Sequence, residues 1–312
     1  MSVERMLNGL HGSVTALVTP FRGSRVDEDA LGHLVERQIL RGTAALVACG
    51  STGEAAALTL SEAARVVACV VEAARGRVPV IAGCTDSATE AASELAIRAV
   101  QAGADALLLA APPYVKPTQE GIAAHVRAVA HATDRPVMLY DVPGRCGAGI
   151  ADATIAKLFA GGLIFAVKDA TADLSRPPRL RALCGEALAQ FTGDDATTAA
   201  YRAMGGVGCV SVTANVTPAL CAALHRSWEA GDLPGFARLR DMLDPLHAAL
   251  FAESNPIPLK AAMGELALCA DELRLPLTRA VEATRVRLST VLAAIMPAEE
   301  RAVPRPLWAV AM

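Results

Sequence analysis

Aromatic residues are scarce in this sequence: phenylalanine, tryptophan and tyrosine make up 4% of 312 residues, although hydrophobic residues reach 53%. The core must therefore be filled with alanine, valine and leucine, the composition of a buried parallel sheet wrapped in helices. An excess of one charge sign is also missing. Lysine and arginine number 29 against 32 aspartates and glutamates, for a net charge of −3. That balance provides no basic field for nucleic acid. No uninterrupted apolar run reaches membrane-spanning length, and the stretch around Glu4 and Arg5 has no signal-peptide apolar core. None of the 8 cysteines forms a C-x-x-C pair, and Cys209 and others lie inside apolar runs. These read as reduced, buried thiols of a cytoplasmic protein rather than disulfides or a metal cage. Cys146, between Arg145 and Gly147, is the one expected to be exposed near a site.

What the sequence does have is a rhythm. Short apolar runs occur at 13–21, 44–50, 79–84, 106–112, 136–142, 163–170, 188–193 and 208–212. Between and after them, apolar residues recur at helical spacing over 28–42, 61–75, 89–102, 119–132, 152–159, 178–184, 195–204 and 218–230. Ser61 with Glu62, and Thr118 with Glu120, read as helix starts, while Gly42 and Gly103 read as stops. Strands that alternate with helices through short connections must pair in parallel. Eight such units predict a TIM (β/α)8 barrel, an α/β fold. A Rossmann-like sheet is the second choice, weakened because no Gly-x-Gly-x-x-Gly follows the first strand. Three further helices are expected at 233–250, 258–268 and 276–296. The chain then divides into a barrel at 12–230, a C-terminal helical subdomain at 231–296 and an irregular tail at 297–312.

Active sites of such barrels lie at the C-terminal ends of the strands. There the sequence offers Gly50–Ser51–Thr52–Gly53–Glu54, Pro112–Pro113–Tyr114, Tyr140–Asp141–Val142–Pro143–Gly144–Arg145, Lys168, Gly193–Asp194–Asp195 and Val210–Ser211–Val212–Thr213. Lys168 ends the run Leu163–Val167. A lysine held among apolar neighbours loses hydration, which disfavours its ammonium form and favours the nucleophilic amine needed for a Schiff base. Each group also has a plain structural reading. Lys168 can be a strand-end lysine whose head reaches water, Arg145 can pair with Asp141, and Asp194 and Asp195 can cap a helix. Their joint placement on one rim is the argument for a site. No histidine lies near the carboxylates in sequence, so a metal site is not expected.

The motifs Gly-Ser-Thr-Gly-Glu (50–54), Tyr-Asp-Val-Pro-Gly-Arg (140–145), Val-Lys-Asp-Ala-Thr (167–171), Gly-Asp-Asp (193–195), Asn-Pro-Ile-Pro-Leu-Lys (255–260) and Leu-Arg-Leu-Pro (273–276) stand in this order. Together they resemble the dihydrodipicolinate synthase family, within the N-acetylneuraminate lyase superfamily of class I pyruvate aldolases. The resemblance implies that Lys168 forms an imine with pyruvate, which then condenses with L-aspartate 4-semialdehyde. It implies a proton relay through Tyr140, Ser51 and a Tyr114 supplied by a neighbouring subunit. Thr52, Val210 and Gly193 would line the pyruvate site, and Arg145 would grip the carboxylate of the aldehyde. No cofactor or metal is called for. The partners implied are these small molecules and further copies of the chain, at least a dimer, with a tetramer the usual family arrangement.

Two departures matter. Ser51 stands where the family usually has threonine, which admits a sibling aldolase or dehydratase acting on a sugar acid or hydroxy-oxo acid. Arg145 argues back towards the aspartate semialdehyde enzymes. Where lysine-inhibited members have polar residues, this chain has Ala55, Ala56, Leu60, Ala63 and Pro113, so insensitivity to lysine is expected. A non-catalytic pyruvate-binding homologue is the remaining alternative, disfavoured because Lys168, Tyr140 and Tyr114 are all present.

Overall fold

The computed structural model describes residues 9–303. Among them, eight parallel strands close into a barrel: β1 (Gly12–Ala16), β2 (Ala45–Ala48), β3 (Val80–Gly83), β4 (Ala106–Ala110), β5 (Val137–Asp141), β6 (Ile164–Asp169), β7 (Ala189–Thr192) and β8 (Gly208–Ser211). Each strand pairs with its neighbour in sequence, and β8 closes on β1 with Val14 opposite Val210. Helices follow the strands: α1 (Glu28–Leu40), α2 (Leu60–Ala74), α3 (Thr89–Gln101), α4 (Gln119–His131), α5 (Asp152–Ala160), α6 (Arg176–Cys184), α7 (Thr198–Ala203) and α8 (Pro218–Glu229). The expected TIM barrel is therefore the fold. A two-residue hairpin, Phe21–Arg22 with Arg25–Val26, lies between β1 and α1.

The start of α2 differs from expectation. Thr59, not Ser61, is the N-cap: its hydroxyl accepts from the Glu62 N–H while the Glu62 carboxylate accepts from the Thr59 N–H. That reciprocal pair satisfies two otherwise orphaned donors. Thr118 caps α4 as expected, accepting from the Gly121 N–H.

Three more helices follow: α9 (Leu233–Leu250), α10 (Ile257–Glu265) and α11 (Glu282–Ala302). Leu243, Leu246, Leu250, Leu259, Met263, Leu288 and Leu292 form a second apolar core with Val18, Leu34, Val212 and Val216 of the barrel. Two expectations fail here. The last helix begins at Glu282 rather than Pro276. The stretch before it is held as a loop, its Arg274 N–H donating to Glu54 Oε2 at 3.0 Å. The helix also runs through Pro297 to Ala302, so residues 297–302 are helical rather than irregular. A proline inside a helix costs about 3 kcal/mol, and the fully buried Glu299 offsets it. Its carboxylate accepts from the Ala219 and Leu220 N–H groups at the start of α8 and from Arg41, an anion on a helix N-terminus. The rest of the expected tail, 304–312, lies outside the described residues. No helix among those described is long and apolar enough to cross a membrane.

Candidate active site

Lys168 and Tyr140 are directly opposite each other on β6 and β5. Lys168 is 6% exposed, and its Nζ lies over the Tyr140 ring, 4.0 Å from the centroid. Near the start of β6 the pairing steps from Val137 opposite Ile164 to Met138 opposite Ala166. The residue gained at Phe165 shifts the register between the two strands and sets Lys168 beside Tyr140. On the other flank Lys168 pairs with Phe191 of β7. Two residues on, Gly193 gives the lysine its room, since a Cβ there would come within 2.9 Å of Lys168 Cε.

Behind this pair sits a buried ionic cluster. Asp141 and Asp169, the residues after Tyr140 and Lys168, are also opposite each other. Arg176 reaches Asp141 at 2.6 Å, Asp152 at 2.9 Å and Asp169 at 3.5 Å. Burial pushes the Asp141 carboxyl above its ordinary range, with Arg176 and the Ile150 N–H opposing. Asp141 thus pairs with Arg176 and not with Arg145. Asp195 turns inward: it accepts from the Ser211 hydroxyl and from the Val212 and Thr213 N–H groups, fastening the end of β8. Asp194 caps the short turn that follows β7.

A cavity of about 340 Å³ opens at these strand ends. Of the expected site residues, Ser51, Tyr140 and Arg145 line it. Lys168 stands against Tyr140 and Gly193 against Lys168. Thr52 is buried, its Oγ1 accepting from Asn255 Nδ2 at 3.0 Å, and Asn255 lines the cavity. Val210 is buried in β8 and does not line the cavity. Tyr114 is not brought in either: it is 91% exposed, in left-handed backbone at φ 73. Cys146 corrects an expectation. It lines the cavity but is buried, and burial pushes its thiol up to about 11. The other cysteines are free thiols as well. Among the described residues, no group of three or more histidines, cysteines, aspartates or glutamates is placed to hold a metal ion.

Several lining residues carry no local sequence signal of a role in the site. Gly83 and Thr85 follow from β3, where a Cβ on Gly83 would lie 1.9 Å from the Cys49 carbonyl oxygen. Asn255, Arg274, Pro276 and Leu277 come from the C-terminal part. The first three lie in two motifs that marked the family without indicating chemistry, and Leu277 follows the second. Glu54 joins this C-terminal wall to the barrel. It has left-handed backbone (φ 52) and contacts Lys260 Nζ at 2.6 Å, a pair with essentially no exposure. Lys260 also donates to the Glu272 carbonyl and lies over the Phe21 ring. Burial lowers its basicity, with Glu54 opposing. Arg274 completes the joint by binding both Glu62 carboxylate oxygens and the Ala57 and Ser24 carbonyls.

The family model described as the dihydrodipicolinate synthetase family matches residues 9–295. The 4-hydroxy-tetrahydrodipicolinate synthase of Rhodospirillum centenum is 49% identical over 274 residues, 88% of this chain and 94% of that protein. The structure of the enzyme of that name from Methylacidiphilum fumariolicum superposes with TM-score 0.91 at 32% identity, covering 94% of this chain and 99% of that one. A dihydrodipicolinate synthase of Acinetobacter baumannii, solved in complex with pyruvate, gives TM-score 0.88 at 39% identity over 91% and 98% of the two chains. With the fold, the order of the motifs and these likenesses in agreement, the chain belongs to the dihydrodipicolinate synthetase family.

Proposed function

We propose that this chain is a Schiff-base-forming lyase that condenses pyruvate with L-aspartate 4-semialdehyde to 4-hydroxy-tetrahydrodipicolinate. The observation that carries the reading is Lys168 Nζ against the Tyr140 ring beside a cavity that Arg145 also lines. Lys168 attacks the pyruvate ketone, and Tyr140 protonates the departing hydroxyl so that it leaves as water. The protonated imine is an electron sink, so the pyruvate methyl gives up a proton and becomes the enamine carbon that attacks the aldehyde. The aldehyde oxygen takes up a proton as the new carbon–carbon bond forms. The amine of the second substrate then displaces Lys168 by transimination, closing the ring and freeing the lysine. Ser51 and Tyr140 supply the proton steps. Arg145 suits the second substrate's carboxylate because its planar fork can bind both oxygens.

Tyr114 is supplied to a neighbouring protomer's relay in this reading, which its exposure and left-handed backbone support. The working form is then at least a dimer, and the free thiols fit a cytoplasmic enzyme. Borohydride reduction in the presence of pyruvate tests the proposal. An adduct on Lys168, lost in Lys168→Ala, is expected, and its absence from the unaltered protein would sink the lyase reading. Arg145→Ala should keep the adduct and lose use of aspartate semialdehyde. Consumption of a sugar-acid aldehyde instead would move the chain to a sibling aldolase. Because Ala55, Ala56 and Pro113 are apolar at the cavity wall, millimolar lysine is expected to leave turnover unchanged, as a steady-state titration would show.

A further inference from the structure

Arg145 is an exposed cation on the cavity wall, and its placement is set by a distant part of the chain. Among the described residues its guanidinium makes one hydrogen bond, from Nη2 to the Asn255 backbone carbonyl at 2.9 Å, across 110 positions. A long, exposed side chain samples many rotamers unless something holds it, so the position of that carbonyl decides where the guanidinium stands. Asn255 is itself buried, at 8% exposure, just before α10. Its Nδ2 donates to Thr52 Oγ1 at 3.0 Å in the loop after β2. The side chain of Asn255 thus ties down the residue whose backbone holds Arg145. The loop after β2 has further anchors. Thr19 Oγ1 donates to the Gly53 carbonyl at 2.7 Å, and Glu54 pairs with Lys260 at 2.6 Å. Loss of the Asn255 amide therefore frees residue 255 while the loop that carries Ser51 stays fastened.

We propose that Asn255 is a positioning residue for Arg145, its amide bond to Thr52 fixing the backbone carbonyl that holds the guanidinium at the cavity. This rests on the lyase reading above, in which Arg145 binds the carboxylate of the second substrate. Asn255 touches no substrate in this role. It acts on the recognition of a carboxylate-bearing aldehyde and leaves imine formation on Lys168 alone. A charge-assisted hydrogen bond depends on donor placement, so a guanidinium released from its carbonyl binds the carboxylate less tightly.

The test uses aspartate semialdehyde with two competitors: 4-oxobutanoate, which keeps the carboxylate and lacks the amine, and 3-aminopropanal, which keeps the amine and lacks the carboxylate. In Asn255→Ala, KM for aspartate semialdehyde and Ki for 4-oxobutanoate should both rise about fivefold or more. Ki for 3-aminopropanal, and the rate at which borohydride traps the pyruvate adduct, should stay within about twofold. Equal weakening of all three aldehydes, or a parallel loss of the adduct, would overturn the assignment and leave Asn255 a packing residue. Asn255→Ser, whose hydroxyl is too short to reach Thr52, carries the same test if Asn255→Ala does not fold. Trapping on the unaltered protein is run first, and failure there strikes the lyase reading alone. The positioning role is then decided by phenylglyoxal labelling of Arg145, read at that residue by peptide mass spectrometry. Labelling should be faster in Asn255→Ala, and an unchanged rate would overturn the role.

Discussion

Two buried cationic side chains brace the cavity, and they do so on different scales. Arg176 ties carboxylates on adjacent elements, its bond to Asp141 spanning 35 positions of sequence. Lys260, with Arg274 next to it, ties the C-terminal part to the loop after β2, where the Arg274 N–H to Glu54 contact spans 220 positions. The first cluster belongs to the barrel, at the paired ends of β5 and β6. The second joins the barrel to the C-terminal helices, whose apolar core the barrel shares through Val18, Leu34, Val212 and Val216. From that difference we expect the strand wall, with Lys168 and Tyr140, and the C-terminal wall, with Asn255 and Arg274, to separate in stability and in chemistry.

The strongest way to break that comparison is Arg176→Leu. It leaves Asp141 and Asp169 buried without their cation, and loss of one partner from a buried ionic cluster costs about 3–5 kcal/mol. Urea denaturation should show that loss, and trapping on Lys168 should fail along with the fold. Lys260→Met should cost less, about 2–3 kcal/mol, because the Glu54 carboxylate still accepts from the Arg274 N–H once its cation is gone. Its pyruvate adduct should persist while KM for the second substrate rises. Loss of the adduct as well would show that the two walls act as one.

Gly193→Ala addresses the strand wall alone. Its methyl would press on Lys168 Cε at 2.9 Å and Cγ at 3.2 Å. Single-turnover adduct formation should slow about tenfold, with a modest stability loss from overpacking of about 1–2 kcal/mol, seen as a lower melting temperature. The smallest effect is in acid. Arg274 holds the Glu62 carboxyl down to about 2 from an ordinary 4.5. The unfolded chain therefore binds the proton more readily, and this contribution is present above pH 4.5 and lost as pH falls towards about 2. Asp141 has the opposite sign. Burial raises it above 3.8, so its contribution is full below that pH and fades as pH rises through the folded value. Glu62→Gln should flatten the fall of melting temperature between pH 4.5 and 2, measured by circular dichroism.

The barrel was legible because each unit repeats one pattern, an apolar run and then a helix with its own caps. Lys168, Tyr140, Ser51 and Arg145 were legible because strand ends share a rim. Asn255 and Arg274 were not, since they meet the rim by tertiary contact across more than 200 positions and no local period announces that. The helix through Pro297 was hidden for the same reason. Glu299 reaches α8 from 80 positions away, which overrides a local rule for proline. Cys146 was misjudged because flanking Arg145 and Gly147 suggested exposure, whereas the helical turn Pro143–Cys146 points its thiol inward.

Gly83 has a consequence for redesign. With the Cys49 carbonyl 1.9 Å from where a side chain would begin, that part of the cavity is bare backbone and admits no diversification. Gly193 imposes a milder restriction beside the lysine, where an added methyl meets Lys168 Cε at 2.9 Å. A mutant library meant to change the accepted aldehyde should therefore leave both glycines alone and vary Pro113, Asn255 and Leu277. In such a library the imine-forming step is a constant and the second substrate the only variable under selection.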